Sequence, residues 1–176
     1  MRRMRVLLLL VSMAAVGVGW AGAQDDACAS PKSARIGILI AARDPDKIPD
    51  KSASKASAEA IATLRREFEV ESRFRDALIR KMAGVCVVRE GGIFKDAQNY
   101  PELKGSMLIQ IVAQPSAKNP KVAAVSVTLG ATQGPQADQN FQLGQMAVLI
   151  EDDADYEEGV KAFLKYWTLV GTAMQH

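Results

Sequence analysis

The residue types on which most enzyme active sites depend are scarce in this chain. Its single histidine, His176, is the last of 176 residues. Because a chain terminus frays, His176 is not expected to hold a general base or a metal ligand in place. This argues against Ser-His-Asp and Cys-His catalysis and against zinc sites that combine histidine with cysteine. The spacings of a phosphate loop and of an EF-hand are also missing, so we expect no cofactor and no metal.

A run of acidic residues offers the densest group of possible metal ligands. Glu151, Asp152, Asp153 and Asp155 lie just before the last predicted helix. Carboxylate oxygens of this kind can bind calcium. A charge run at this position is more typical of a solvated helix start, where acidic groups interact favourably with the helix dipole. Glycoside hydrolysis needs only two acids that converge in space, and the sequence singles out no such pair.

The first 23 residues have the pattern of an export signal. A start that contains three arginines is followed by an apolar run from Val6 to Val18 and by the small residues Ala21-Gly22-Ala23. The apolar run is shorter than the roughly 20 residues that span a bilayer. We therefore expect a signal peptide at residues 1–23 and a periplasmic or secreted mature chain without a transmembrane segment.

The mature chain, residues 24–176, has a length that suits one domain with a hydrophobic core. It carries 19 basic and 20 acidic residues, a net charge of −1. A nucleic-acid partner would require basic residues clustered on one face, and this balance argues against one.

Cys28 and Cys86 are the only cysteines. In an oxidising compartment an isolated pair favours a disulfide, and this bond would close a long loop worth about 4 kcal/mol in the chain-entropy description. In the alternative, Cys86 is a small buried hydrophobic residue within the apolar run Val85 to Val88.

Hydrophobic periodicity predicts five strands and two helices in the order β-α-β-β-β-β-α. The strands are predicted at residues 35–42, 85–89, 107–114, 122–129 and 143–150, and the helices at about 56–83 and from about 155 to 174. This order predicts an α+β fold in which helices pack on one mixed five-stranded sheet. The first helix permits a parallel crossover between strands one and two, and the short turns after it favour an antiparallel meander.

Both predicted helices carry an apolar stripe, and charged residues lie on the first stripe and at the start of the second helix. In the first, Glu71 and Arg75 interrupt the stripe, which predicts a bend, a break or a rotation of the buried face around residues 69–72. In the last, Asp155 and Glu158 have the spacing of a capping box. Trp167 lies on the apolar stripe of this helix and is interpreted as a core anchor, with the stripe packed on the sheet or, alternatively, on a partner or a membrane surface.

Three polar loops are the candidate contact surfaces, since loops on a rigid sheet commonly carry recognition. They are Arg43 to Ser54, Gly91 to Gly105 and Gln133 to Asn140.

The order of the elements resembles the small periplasmic α/β domain of the TolB N-terminal region, of the curli secretion protein CsgG and of the LpoB activators. The similarity rests on RIGILIAA at residues 35–42, a helix that contains Phe74 and Leu78, VCVVRE at 85–90 and SMLIQIVAQ at 106–114. The resemblance implies an envelope assembly or partner-docking module without enzymatic activity.

A second resemblance is to the cystatins, whose Gln-x-Val-x-Gly hairpin enters a protease cleft. Gln110 to Gln114 is similar to that pentapeptide, but Gln114 stands where the glycine is expected and no Pro-Trp hairpin follows. The resemblance implies protease inhibition.

The sequence thus predicts an exported, non-enzymatic domain that binds another envelope protein. The alternatives are a cystatin-like inhibitor and a hydrolase that works through carboxylates. Acidic side chains converging in a pocket, one of them with a raised carboxyl pKa, would favour the hydrolase. An exposed apolar patch of several hundred Å² would favour the binding module.

Overall fold

The computed structural model describes residues 28–29, 34–48, 58–82, 84–119, 121–132 and 140–173. The predicted signal peptide and His176 lie outside these residues. Within them the chain forms five strands and two α-helices. In chain order these are β1 (Arg35–Ile40), α1 (Ala58–Lys81), β2 (Cys86–Ile93), β3 (Met107–Pro115), β4 (Ala123–Thr132), β5 (Asn140–Ile150) and α2 (Asp153–Ala173).

The five strands form one mixed sheet in the order β2-β1-β3-β4-β5, which confirms the predicted α+β fold. Strands β2 and β3 both run parallel to β1, on its two sides, while β4 and β5 continue as an antiparallel meander. The prediction that the meander begins at the second strand is wrong. The apolar run of β1 is buried from Ile36 to Ile40. Layers on both faces of the sheet give β1 this burial, since Ile36, Ile38 and Ile40 belong to the main core cluster and Leu39 to a second one.

The main core lies between the sheet and the two helices. It contains one face of β4, formed by Val125, Val127 and Leu129, together with isoleucines of β1 and β3. Helix α2 contributes Val160 and Phe163, both fully buried. Trp167 packs against this cluster and meets Phe163 edge-on, with ring centroids 6.1 Å apart. The apolar stripe of α2, as far as its described side chains extend, is therefore covered by its own chain.

A second cluster covers the opposite face of the sheet. The segment from Gly91 to Gly105, predicted to be an exposed loop, extends β2 to Ile93 and then forms two short 3-10 helices, Phe94–Asn99 and Pro101–Leu103. Leu103 is 2 % exposed and packs with Leu39 and Leu108. Glycine at position 37 permits this packing, because an added Cβ would overlap the side chain of Leu103. The prediction that Gly91 to Gly105 is a polar loop throughout is wrong, because Leu103 belongs to the core.

Helix α1 is continuous from Ala58 to Lys81, so it does not break at residues 69–72. Glu71 keeps its place on the stripe and is buried beside Val70 and Phe74.

The capping interactions of α2 lie one turn earlier than predicted. The Asp152 carboxylate accepts the backbone N–H groups of Ala154 and Asp155, at 2.8 and 3.3 Å. In return, the Asp155 carboxylate accepts the N–H groups of Glu151 and Asp152, at 2.6 and 3.0 Å. Bonds from Asp152 and Glu151 lower the pKa of Asp155 below its ordinary value. The acidic run thus caps a helix.

Cys28 and Cys86 form a disulfide, as predicted, with their Cα atoms 4.6 Å apart. Cys86 is also buried, at 2 % exposure, so the bond ties the segment before β1 to a fixed point in the core. In the sheet register Cys86 is the partner of Arg35, the first residue of β1. The disulfide therefore lies at the end of the sheet where β1 and β2 begin.

Neither α-helix of the described residues combines the length and apolar content that a membrane crossing requires.

Replacing the cysteines in a Cys28→Ser/Cys86→Ala variant should lower the free energy of unfolding by about 2–4 kcal/mol, since the unfolded chain regains the entropy of a long open loop. Urea denaturation of the oxidised protein and the variant measures the difference. Reductant should bring the wild type to the midpoint of the variant and leave the variant unchanged. Equal midpoints in the oxidised protein and the variant would contradict a stabilising bond.

Candidate functional site

The parallel half of the sheet creates a crevice at one of its ends. The carboxyl ends of β1, β2 and β3 meet at the same edge because the three strands are parallel. The chain leaves β1 toward β2 on one side and returns across β1 to β3 on the other side. In open α/β sheets such a change of direction leaves a crevice between the two neighbouring strands, and ligands commonly bind there.

The carboxylate of Glu71 lies in this crevice. Its Oε2 accepts the backbone N–H of Ala42, just beyond β1, at 2.7 Å. Its Oε1 accepts the backbone N–H of Ala113, near the end of β3, at 2.8 Å. The last hydrogen bond of the β1–β3 ladder, from Ala41 N–H to the carbonyl of Ile111, lies immediately before it. One side chain of α1 thus joins the ends of two strands, and each of its oxygens has a backbone donor.

Burial raises the pKa of Glu71 to about 7 from its ordinary 4.5. The side chain is 1 % exposed, and removing a carboxylate from water disfavours its charged form. The backbone N–H groups of Ala113, Ala42 and Ala41 lower the pKa, while the negative charge of Glu67 raises it. Desolvation is the largest of these effects, so Glu71 exchanges a proton near neutral pH.

An open groove of about 450 Å³ lies over Glu71. It is lined by Ala41, Ala42, Arg43, Leu64, Glu67, Glu71, Ile93, Lys95, Val112, Ala113 and Gln114. A neighbouring groove of about 370 Å³ shares Ala42, Arg43 and Ile93 with it. Arg43 and Lys95 are exposed, and neither forms an ion pair within the described part of the chain.

The position of Lys95 is set by the second core cluster. The hydroxyl of Tyr100 accepts the backbone N–H of Ile93 at 3.3 Å, which fixes the start of the 3-10 segment. The guanidinium of Arg89 lies over the ring of Tyr100, 3.5 Å from its centroid, and also pairs with Glu102. These contacts hold in place the segment that contributes Lys95 to the groove.

Two of the three predicted contact loops meet at this groove. Arg43 comes from the segment after β1, and Ile93 with Lys95 from the segment after β2. Residues 49–54 of the first loop and 133–139 of the third lie outside the described residues, and Asn140 is the first residue of β5. The described part of the loop predicted from Arg43 to Ser54 contains a short 3-10 helix, Pro45–Lys47.

The other predicted candidates lie elsewhere. Gln110 to Gln114 belongs to the central strand β3, paired with β1 on one side and β4 on the other, so it does not form a hairpin turn. Among the described residues, no three histidine, cysteine, aspartate or glutamate side chains converge to hold a metal ion. Sequence reasoning did not select Glu71 as a site residue. Its signal was the carboxylate on the apolar stripe of α1.

The groove has the feature that would favour a hydrolase, and the described residues expose little of what would favour a binding patch. Glu67 and Glu71 share a groove, and the pKa of Glu71 is raised. Among the described residues, Leu149, at 58 % exposure, is the one large apolar side chain that is largely exposed.

Comparisons of the chain with known protein families, curated proteins and solved structures found no match.

The raised pKa of Glu71 should make stability depend on pH. Between pH 4.5 and 7 the unfolded carboxyl has lost its proton while the folded one keeps it, so the free energy of unfolding falls as pH rises, by about 3 kcal/mol in total from this group. Chemical denaturation of the wild type and Glu71→Gln across this range measures the effect.

The Glu71→Gln variant should lack this pH-dependent loss. Its amide can accept only one of the two N–H groups, so at pH 5 it should be less stable than the wild type by about 1–3 kcal/mol, and the gap should narrow toward pH 7. Glu67→Gln is the matched control and should retain the wild-type slope. Parallel pH profiles for the wild type and Glu71→Gln would contradict the assignment.

Proposed function

We propose that this chain is exported and acts, without enzymatic activity, as a partner-binding module of the cell envelope. The observation that carries the proposal is the Cys28–Cys86 disulfide, since such bonds persist in oxidising compartments and are rare in the cytosol. The predicted signal peptide agrees with the same compartment.

The groove over Glu71 supports a binding role. It lies at the carboxyl ends of the parallel strands, and the disulfide lies at the end where β1 and β2 begin. The bond therefore restrains one end of the sheet, and the other end presents side chains from two loops and from α1. A rigid sheet that carries loops of this kind is a common arrangement for recognition.

A hydrolase that uses carboxylates is the second candidate. The pKa of Glu71, about 7, is favourable for a general acid, and Glu67 lines the same groove. A general acid must lie within hydrogen-bond distance of the substrate atom that it protonates. The Glu71 side chain is 1 % exposed, and each of its oxygens accepts a backbone N–H group, so we favour the binding role.

Export and binding can be tested in one strain that produces the full chain. Mass spectrometry of the purified protein should find Gln24 at the N-terminus and Cys28 bonded to Cys86. A photo-crosslinking residue at position 95 should yield an adduct with an envelope protein, whereas the same residue at position 104, outside the groove, should not. An uncleaved reduced chain would refute export, and adducts that are equal at both positions would refute binding through the groove.

The hydrolase is tested with chromogenic ester, glycoside and peptide substrates. The proposed binding function predicts no turnover by the wild type. Turnover that is lost in both Glu71→Gln and Glu67→Gln, with both variants folded by circular dichroism, would favour the hydrolase instead.

A further inference from the structure

We infer that the groove over Glu71 is a proton-linked binding site for a carboxylate attached to a small apolar body. This inference rests on the proposed binding function and specifies the ligand chemistry of the same site. Such a carboxylate can belong to the C-terminal residue of a polypeptide or to a free organic acid.

The charges that line the groove favour an anion. Arg43 and Lys95 are exposed cations without ion-pair partners among the described residues. Glu67 contributes one negative charge, so the lining carries a net positive charge when Glu71 is protonated and none when Glu71 is ionised. A carboxylate between Arg43 and Lys95 would receive charge-assisted hydrogen bonds from both.

The uncharged residues that line the groove favour a ligand whose remaining part is small and apolar. Leu64, Ile93 and Val112 provide the larger apolar contacts, and the volume of about 450 Å³ falls within the range of small-molecule sites. The backbone N–H groups of Ala42 and Ala113 already donate to Glu71. A ligand carboxylate would therefore depend on the two cationic side chains.

The proton link follows from the position of Glu71 beneath the ligand. An ionised Glu71 would repel a second carboxylate in the groove, and a proton on Glu71 removes that repulsion. Ligand binding and protonation must therefore favour each other reciprocally. The charged groups that line the groove are Glu67 of α1, Arg43 after β1 and Lys95 after β2, while β3 presents only uncharged residues.

Titration calorimetry of the oxidised mature protein provides the test. The probes are the peptide acetyl-Ala-Ala-Leu with a free C-terminus, its C-terminal amide, and 4-methylpentanoate. We expect at least one of the two acids to bind with a dissociation constant below about 1 mM, and the amide to bind at least tenfold more weakly. Tight binding of the peptide acid alone indicates a chain terminus as the ligand, and equal binding of both acids indicates a small organic acid.

The affinity for the acid should fall about tenfold between pH 6 and pH 8, because Glu71 must be protonated in the favoured complex. Titrations near pH 7 in two buffers of different ionisation enthalpy should show proton uptake on binding. Arg43→Gln and Lys95→Gln should each weaken binding at least fivefold, Lys104→Gln should not, and Glu71→Gln should bind with an affinity independent of pH.

Three results would overturn the inference. These are no binding of either acid at 10 mM, equal binding of the peptide acid and its amide, and binding of the acid without proton uptake. The proton measurement uses the wild type, so it stands even if Glu71→Gln folds poorly. If neither acid binds but residue 95 still gives a position-specific crosslink, this ligand class is refuted and the proposed binding function remains intact.

Discussion

The arrangement of the parallel half of this protein depends on one buried carboxylate. Glu71 joins α1 to the ends of β1 and β3 through two backbone N–H groups, at the point where the ladder between these strands stops. Burying it is costly, and the raised pKa expresses that cost. An apolar residue at this position would leave two buried N–H groups without acceptors, so the same carboxylate that is expensive to bury also satisfies the strand ends.

The sheet topology determines why such a carboxylate is needed and what surrounds it. Because β1 has parallel neighbours on both sides, the chain must cross from β2 to β3 over one face of the sheet. The crossing segment forms the second core cluster and brings Lys95 to the groove that Arg43 also lines. The crossing therefore contributes to both the core and the rim of the groove. At the opposite end, the disulfide restrains the start of β2.

Much of the fold follows from local patterns. The apolar run at β1, the alternation in β4 and the helical spacing of α2 each correspond to an observed element, because burial of one face imposes a period of two or 3.6 residues. The presence of two cysteines and no others likewise predicted the disulfide. Three predictions failed where neighbours in space decide the outcome: the partner of β3, the burial of Leu103 and the cap of α2. Leu103 ends the second of two 3-10 helices in a segment that begins with two glycines, and only its packing on Leu39 and Leu108 makes it a core residue.

The sequence by itself therefore determined the strands, the helices and the cysteine pair, since these depend on residue types and their spacing along the chain. It also marked Glu71 as an anomaly on an apolar stripe. Only the tertiary structure decided what that anomaly does, because Ala42 and Ala113 are 29 and 42 residues away from it. Hydrogen bonds and desolvation at such separations depend on how the sheet is ordered, and no local pattern encodes that order.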